Sequence, residues 1–119
     1  MRILICDDEF DVRALFHLIL ERQKHEVITL SKADNIVDQI ANILPDIIFM
    51  DNSMPGICGA AAVGMLKESK FKYIPIVLCS ADDDVFELMP KVEADFFLRK
   101  PFSIEDLRYI ISLFSFHAA

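Results

Sequence analysis

The chain has 119 residues, a length that fits one domain spanning residues 1–119 and leaves little room for a second. Its apolar fraction of 54% allows a large core, yet no apolar run approaches the roughly 18 residues of a membrane span. Four acidic residues by position 11 exclude a signal peptide at the N-terminus, and a net charge of −7 without a Lys/Arg cluster argues against binding to nucleic acid or an anionic membrane, so cytoplasmic residence is expected.

The first apolar run, Arg2–Cys6, reads as a strand. Val12, Leu15, Phe16 and Ile19 then recur at helical spacing and predict one buried helix face. Glu26–Leu30 reads as a second strand, followed by a stripe of Ile36, Val37, Ile40, Ile43 and Leu44 that Pro45 ends. Asp46–Met50 is a third strand, and Gly59–Ser69 a helix weakened by Gly64. Ile74–Cys79 is a fourth strand. A helix over about residues 83–92 follows, with Pro90 expected to end or kink it. Phe96–Arg99 is the fifth strand. The last helix opens with Ser103 as N-cap and Asp106 three residues on, and its buried stripe runs through Ile104, Leu107, Ile110, Ile111 and Phe114.

Five β-α units in succession predict an α/β domain with a parallel sheet and helices on both faces. In such sheets ligands sit beyond the carboxyl ends of the strands. Asp7, Asp8 and Glu9 follow the first strand, Asp51-Asn52-Ser53-Met54-Pro55-Gly56 the third, Ser80-Ala81-Asp82 the fourth, and Lys100-Pro101 the fifth. Carboxylates held close repel one another unless a cation intervenes, and a few hard oxygen ligands suit Mg²⁺, with Mn²⁺ as an alternative. A lysine ammonium and a serine hydroxyl can then hold phosphoryl oxygens, and a carboxylate can itself take the phosphoryl group.

Any one of these features alone has an ordinary explanation. An acidic pair can be a solvated loop, Asp51 a turn starter, Ser80 a cap and Lys100-Pro101 an exposed loop. Their joint occurrence at four strand ends points to one site. Cys6, Cys58 and Cys79 lack the spacing of a zinc site or disulfide framework, and Cys6 and Cys79 read as small core residues. His17, His25 and His117 show no ligand spacing.

Across nearly its whole length the chain resembles the response-regulator receiver family. The matching stretches are LICDDE, IIFMDNSMPGICG, IVLCSA and FFLRKPF, in that order. The resemblance implies a flavodoxin-like (βα)5 fold with strand order 2-1-3-4-5. It implies Asp51 as phosphoacceptor and Mg²⁺ held by Asp8 and Asp51 directly, by Asp7 through water, and by the backbone carbonyl of Ser53. Lys100 would pair with Asp51 and then with the phosphoryl group. Ser80 would move to the new phosphoryl oxygen, and Phe97, at the switch-aromatic position, would turn inward. The donor would be a histidine kinase or a histidine phosphotransfer protein. Readout would use the fourth helix, fifth strand and fifth helix (Val85–Val92, Phe96–Arg99 and Arg108–Phe116), where a downstream protein, an output domain or a second copy could dock. Leu113 and Phe116 are candidate contacts there.

The chain departs from the family pattern at Glu93, where glycine is usual, at Pro90, at Cys58, which replaces a common Asp, and at Phe97, which lacks a tyrosine's hydroxyl. Ser53 and Asp82 occupy positions that tune the phosphoryl lifetime. The resemblance implies a switch that promotes its own phosphorylation and dephosphorylation, not a turnover enzyme. A metal-dependent phosphohydrolase would need a general acid where Ser53 stands. A flavodoxin-type cofactor binder would need amides and hydroxyls where Asp7, Asp8, Glu9 and Asp11 stand. A receiver that only docks would lack part of the acidic set.

Overall fold

The computed structural model describes residues 1–81 and 87–115. Five strands, β1 (Arg2–Cys6), β2 (Glu26–Leu30), β3 (Ile47–Asp51), β4 (Ile76–Ala81) and β5 (Phe96–Lys100), form one parallel sheet in the order 2-1-3-4-5. The helices are α1 (Phe10–Arg22), α2 (Ile36–Ile43), α3 (Gly59–Lys67) and α4 (Ile104–Phe114). This is the flavodoxin-like arrangement that the family motifs imply.

Because strand side chains alternate between faces, the central strands are apolar on both. Ile3, Ile5, Ile47, Phe49, Val77, Cys79 and Leu98 pack with Phe16 and Leu20 of α1 and Leu107, Ile110 and Ile111 of α4. Leu4, Cys6, Ile48, Met50, Ile76 and Leu78 pack on the opposite face with Ile36 and Ile40 of α2 and Ala62, Val63 and Leu66 of α3. At about 25 cal/mol per Å² of buried apolar surface, these two layers dominate the favourable side of folding.

Local signals act as predicted at several ends. Ser103 Oγ accepts from the Asp106 N–H at 3.1 Å and Asp106 Oδ2 accepts from the Ser103 N–H at 2.9 Å, closing the capping box that starts α4. Pro90 lies in a turn over residues 89–91, directly after Glu87 and Leu88. Residues 83–86 of the fourth helical candidate lie outside the described residues, as do Asp82, Phe116 and His117.

Four expectations are corrected. Ile104 opens α4 and is 43% exposed, so the buried face of that helix begins at Leu107. Leu15 is 54% exposed and Leu20 is fully buried, so the core face of α1 runs through Val12, Phe16, Ile19 and Leu20. Leu44 is 57% exposed, since it ends α2 in the left-handed region at φ 50° and turns off the helical stripe. Strands three, four and five extend further than their apolar runs. Asp51 pairs with Cys79, Ser80 with Arg99 and Ala81 with Lys100 within the parallel ladder. The ladder of β4 begins after Pro75, which has no N–H to give it and offers its carbonyl to the Ile48 N–H at 3.0 Å.

Candidate functional site

The register of the sheet brings the ends of β1, β3 and β5 together. Asp51 ends β3 and Lys100 ends β5, each two residues beyond a core residue (Phe49 and Leu98) of the layer under α1 and α4. Asp7 directly follows β1, and its N–H donates to the Leu30 carbonyl at 3.0 Å, which carries the β1–β2 pairing one residue further.

At this edge Lys100 Nζ lies 2.9 Å from Asp51 Oδ1 and 3.1 Å from Asp7 Oδ2. Asp7 and Asp51 are 2% and 4% exposed, while Asp8 is open to solvent. One carboxylate oxygen from each of Asp7, Asp8 and Asp51 lies within 4.8 Å of the other two. Hard anionic oxygens this close, two of them desolvated, need a positive charge among them. Lys100 supplies one. A small divalent cation fits the same donor set.

The electrostatics bear on Asp51 most directly. Burial raises its carboxyl above the ordinary range, and the charge of Asp7 raises it further, against the lowering hydrogen bond and charge of Lys100 and the Ser53 N–H. For Lys100, burial favours the neutral amine, but the hydrogen bonds and charges of Asp51 and Asp7 outweigh it and hold the ammonium above its usual range. Cys6, directly before Asp7, is pushed up to about 12 by burial and by the Asp7 charge, and burial raises Cys79 as well, so both thiols stay protonated.

Ser80 is 2% exposed, and its Oγ has no hydrogen-bond partner among the described residues. A buried hydroxyl without a partner costs about 1–3 kcal/mol and is available to a new acceptor. Phe97 pairs in register with Leu78, which places it diagonal to Ser80 on the same sheet face. It is already partly buried against the α2–α3 layer.

Three residues make contacts at the site to which the sequence reading assigned no role. Arg13 Nη1 donates to the Asp7 carbonyl at 2.8 Å. Asn52 donates its N–H to the Cys79 carbonyl at 2.8 Å, and its Oδ1 and carbonyl accept from the Ala60 and Gly59 N–H groups at 3.0 and 3.1 Å. Gly59 lets α3 approach this closely, because a Cβ there would overlap the Asp51 carbonyl oxygen. The Asn52 side chain reaches the first turn of α3 from eight residues back, while Cys58 stands at the N-cap position without a side-chain bond. The Arg13 contact likewise joins a side chain to a backbone oxygen six residues back, a spacing that no capping or turn pattern marks. Beside Lys100 a groove of about 420 Å³ opens between α1 and α4, lined by Val12, Leu15, Phe16, Phe102 and Leu107.

A doubly wound parallel sheet with a lysine-bridged pair of buried aspartates at its carboxyl edge defines a CheY-like receiver. The chain belongs to the response regulator receiver domain family, whose model matches residues 3–112. It is 31% identical over 110 residues to protein PilG of Pseudomonas aeruginosa, covering 90% of this chain and 82% of PilG. It is 32% identical over 104 residues to the alkaline phosphatase synthesis transcriptional regulatory protein PhoP of Bacillus subtilis, covering 86% of this chain but only 43% of PhoP. Among solved structures, the response regulator TrrA of Thermotoga maritima, in complex with Mg(2+)-BeF, superposes with a TM-score of 0.85 at 26% identity, covering 95% of this chain and 97% of TrrA. No helix among the described residues is long and apolar enough to cross a membrane.

Proposed function

We propose that this receiver, acting as one unit over residues 1–119, takes a phosphoryl group onto Asp51 from a phosphohistidine of a histidine kinase or histidine phosphotransfer protein. The observation that supports this most is the contact of one ammonium, Lys100, with two buried carboxylates, Asp7 and Asp51. In the transfer, an Asp51 carboxylate oxygen attacks phosphorus. The acyl O–P bond forms as the imidazole N–P bond breaks, and the leaving imidazole nitrogen takes a proton from solvent. Burial raises the free energy of the ionised Asp51, and conversion to an acyl phosphate relocates its charge onto phosphoryl oxygens that reach toward Lys100 and solvent.

Asp7, Asp8, Asp51 and the Ser53 carbonyl are the groups that would hold Mg²⁺, or Mn²⁺ in its place. When bound, such a cation supplies charge neutralisation for the carboxylates and the incoming phosphoryl oxygens. Lys100 remains beside Asp51 and pairs with the phosphoryl group after transfer. The phosphoryl group offers an oxygen to the Ser80 hydroxyl, which has no partner among the described residues, and Phe97, diagonal to it, follows by packing deeper.

The output face in this reading is the segment up to Val92, β5 and α4, where a downstream protein, an output domain or a second copy docks. Leu113 is 39% exposed on α4 and suits such a contact. The charge of −7 supports a protein partner over nucleic acid. The donor class places the domain in the cytoplasm. The groove beside Lys100, with exposed Leu15 at its edge, offers an apolar foothold next to the reacting carboxylate.

Treatment of the chain with a small acyl phosphate and Mg²⁺ tests this reading by intact mass. The native chain gains one phosphoryl group, EDTA prevents the gain, and Asp51→Asn shows none. An undiminished gain in Asp51→Asn overturns the assignment.

A further inference from the structure

Asp7 is fastened at each of its polar atoms. Its N–H donates to the Leu30 carbonyl at 3.0 Å, Oδ1 accepts from the Glu9 N–H at 2.9 Å, and Oδ2 accepts from Lys100 Nζ at 3.1 Å. Its carbonyl accepts from Arg13 Nη1 at 2.8 Å. That last bond ties the turn to α1, because Arg13 sits in the first turns of the helix, with its guanidinium 5.9 Å from the centre of the Phe10 ring and its own N–H donating to the Glu9 carbonyl at 3.1 Å. The Asp7 carbonyl belongs to the peptide plane that joins Asp7 to Asp8. Rotation of that plane sets the direction of the Asp8 side chain, which is exposed and has no core to hold it.

We propose that Arg13 is a positioning residue for the acidic turn: its guanidinium pins the peptide between Asp7 and Asp8 so that the two carboxylates stay aimed at the space shared with Asp51. This inference rests on the divalent-cation reading of that space. It also makes a prediction opposite in sign to simple electrostatics. Arg13 is a cation bonded to the backbone of Asp7, one of the three clustered acids, so by charge alone its removal makes the cluster more negative and tightens cation binding. By positioning, its removal frees the turn and weakens binding, as loss of a group that orients a metal ligand commonly does.

The test uses the full chain with Arg13→Met, which keeps the apolar stem and loses the donors, and Arg13→Lys, which keeps charge and a donor. Mg²⁺ affinity is read by titration calorimetry, and exchange of the Glu9 amide, which is bonded to Asp7 Oδ1, by NMR in EDTA. The expected result is about tenfold weaker Mg²⁺ binding in Arg13→Met, faster exchange at Glu9, and substantial recovery of both in Arg13→Lys. Equal or tighter Mg²⁺ binding in Arg13→Met overturns the proposal, as does unchanged exchange at Glu9. Failure of the native chain to bind Mg²⁺ overturns the cation reading itself, while the amide exchange still decides whether Arg13 holds the turn.

Discussion

Replacing Lys100 with Met removes the positive charge between two buried carboxylates and keeps a side chain of similar length. Nζ lies 2.9 and 3.1 Å from its two acceptors, and the Asp51 and Asp7 side chains are 4% and 3% exposed. A unit-charge pair at this range is worth about 5–6 kcal/mol at an effective dielectric of 20, and removal of one partner of a buried pair costs about 3–5 kcal/mol. Part of this is recovered, because the ammonium itself is no longer desolvated and Asp51 can protonate. The expected loss is therefore about 3 kcal/mol near neutral pH, or about 12 °C in Tm for a chain of this size. The loss depends on pH. Burial already raises the Asp51 carboxyl above its ordinary value of 3.8, and Lys100 opposes that rise, so its removal raises the carboxyl further. A carboxyl raised in the folded state destabilises the fold only where it is ionised, so the deficit is full above its folded value and fades as pH falls toward 3.8. Saturating Mg²⁺ also shrinks the deficit by replacing the missing charge. Urea denaturation followed by circular dichroism, at pH 7.5 and 5 with EDTA or Mg²⁺, measures all three effects. A variant as stable as the native chain in EDTA at pH 7.5, or a deficit equal at both pH values, refutes the reasoning.

Asp51→Asn relieves the repulsion with Asp7 and the cost of a buried charge. In EDTA it is expected to be at least as stable as the native chain at neutral pH, by urea denaturation, and to lose the stabilisation that Mg²⁺ gives the native chain. Ser80→Ala deletes a buried hydroxyl that has no partner among the described residues, so the same assay is expected to show no loss of stability and up to about 1 kcal/mol of gain. The two glycines of α3 should respond oppositely to alanine. Gly59→Ala forces a Cβ onto the Asp51 carbonyl oxygen and is expected to cost about 2 kcal/mol, whereas Gly64→Ala meets nothing within 4 Å and is expected to gain about 0.5–1 kcal/mol from helix propensity.

The sequence is most informative where one residue acts through its own chemistry or a short-range pattern. The Ser103–Asp106 box, the runs of β1 and β2, and the convergence of Asp7, Asp8, Asp51 and Lys100 all follow from local spacing joined to the rule that sites lie at strand ends. It is less informative where the parallel ladder decides. Ser80 and Lys100 look like loop residues after apolar runs, but pairing across β4 and β5 keeps them in strands and thereby fixes their direction. Helix phase is ambiguous for the same reason. Leu15 and Leu20 are equally apolar, and only the position of the sheet under α1 determines which one is buried. Arg13, Asn52 and Gly59 act through backbone atoms of other segments, and such contacts leave no periodic trace.

The central claim is that one carboxylate at the sheet edge takes the phosphoryl group. Borohydride reduces an acyl phosphate to an alcohol and converts the labelled aspartate into homoserine, which tandem mass spectrometry locates in the chain. After incubation with a phosphohistidine donor and Mg²⁺, homoserine is expected at position 51 and at neither position 7 nor position 8. Homoserine at one of those two positions, or none anywhere in a chain that has gained a phosphoryl group, contradicts the account.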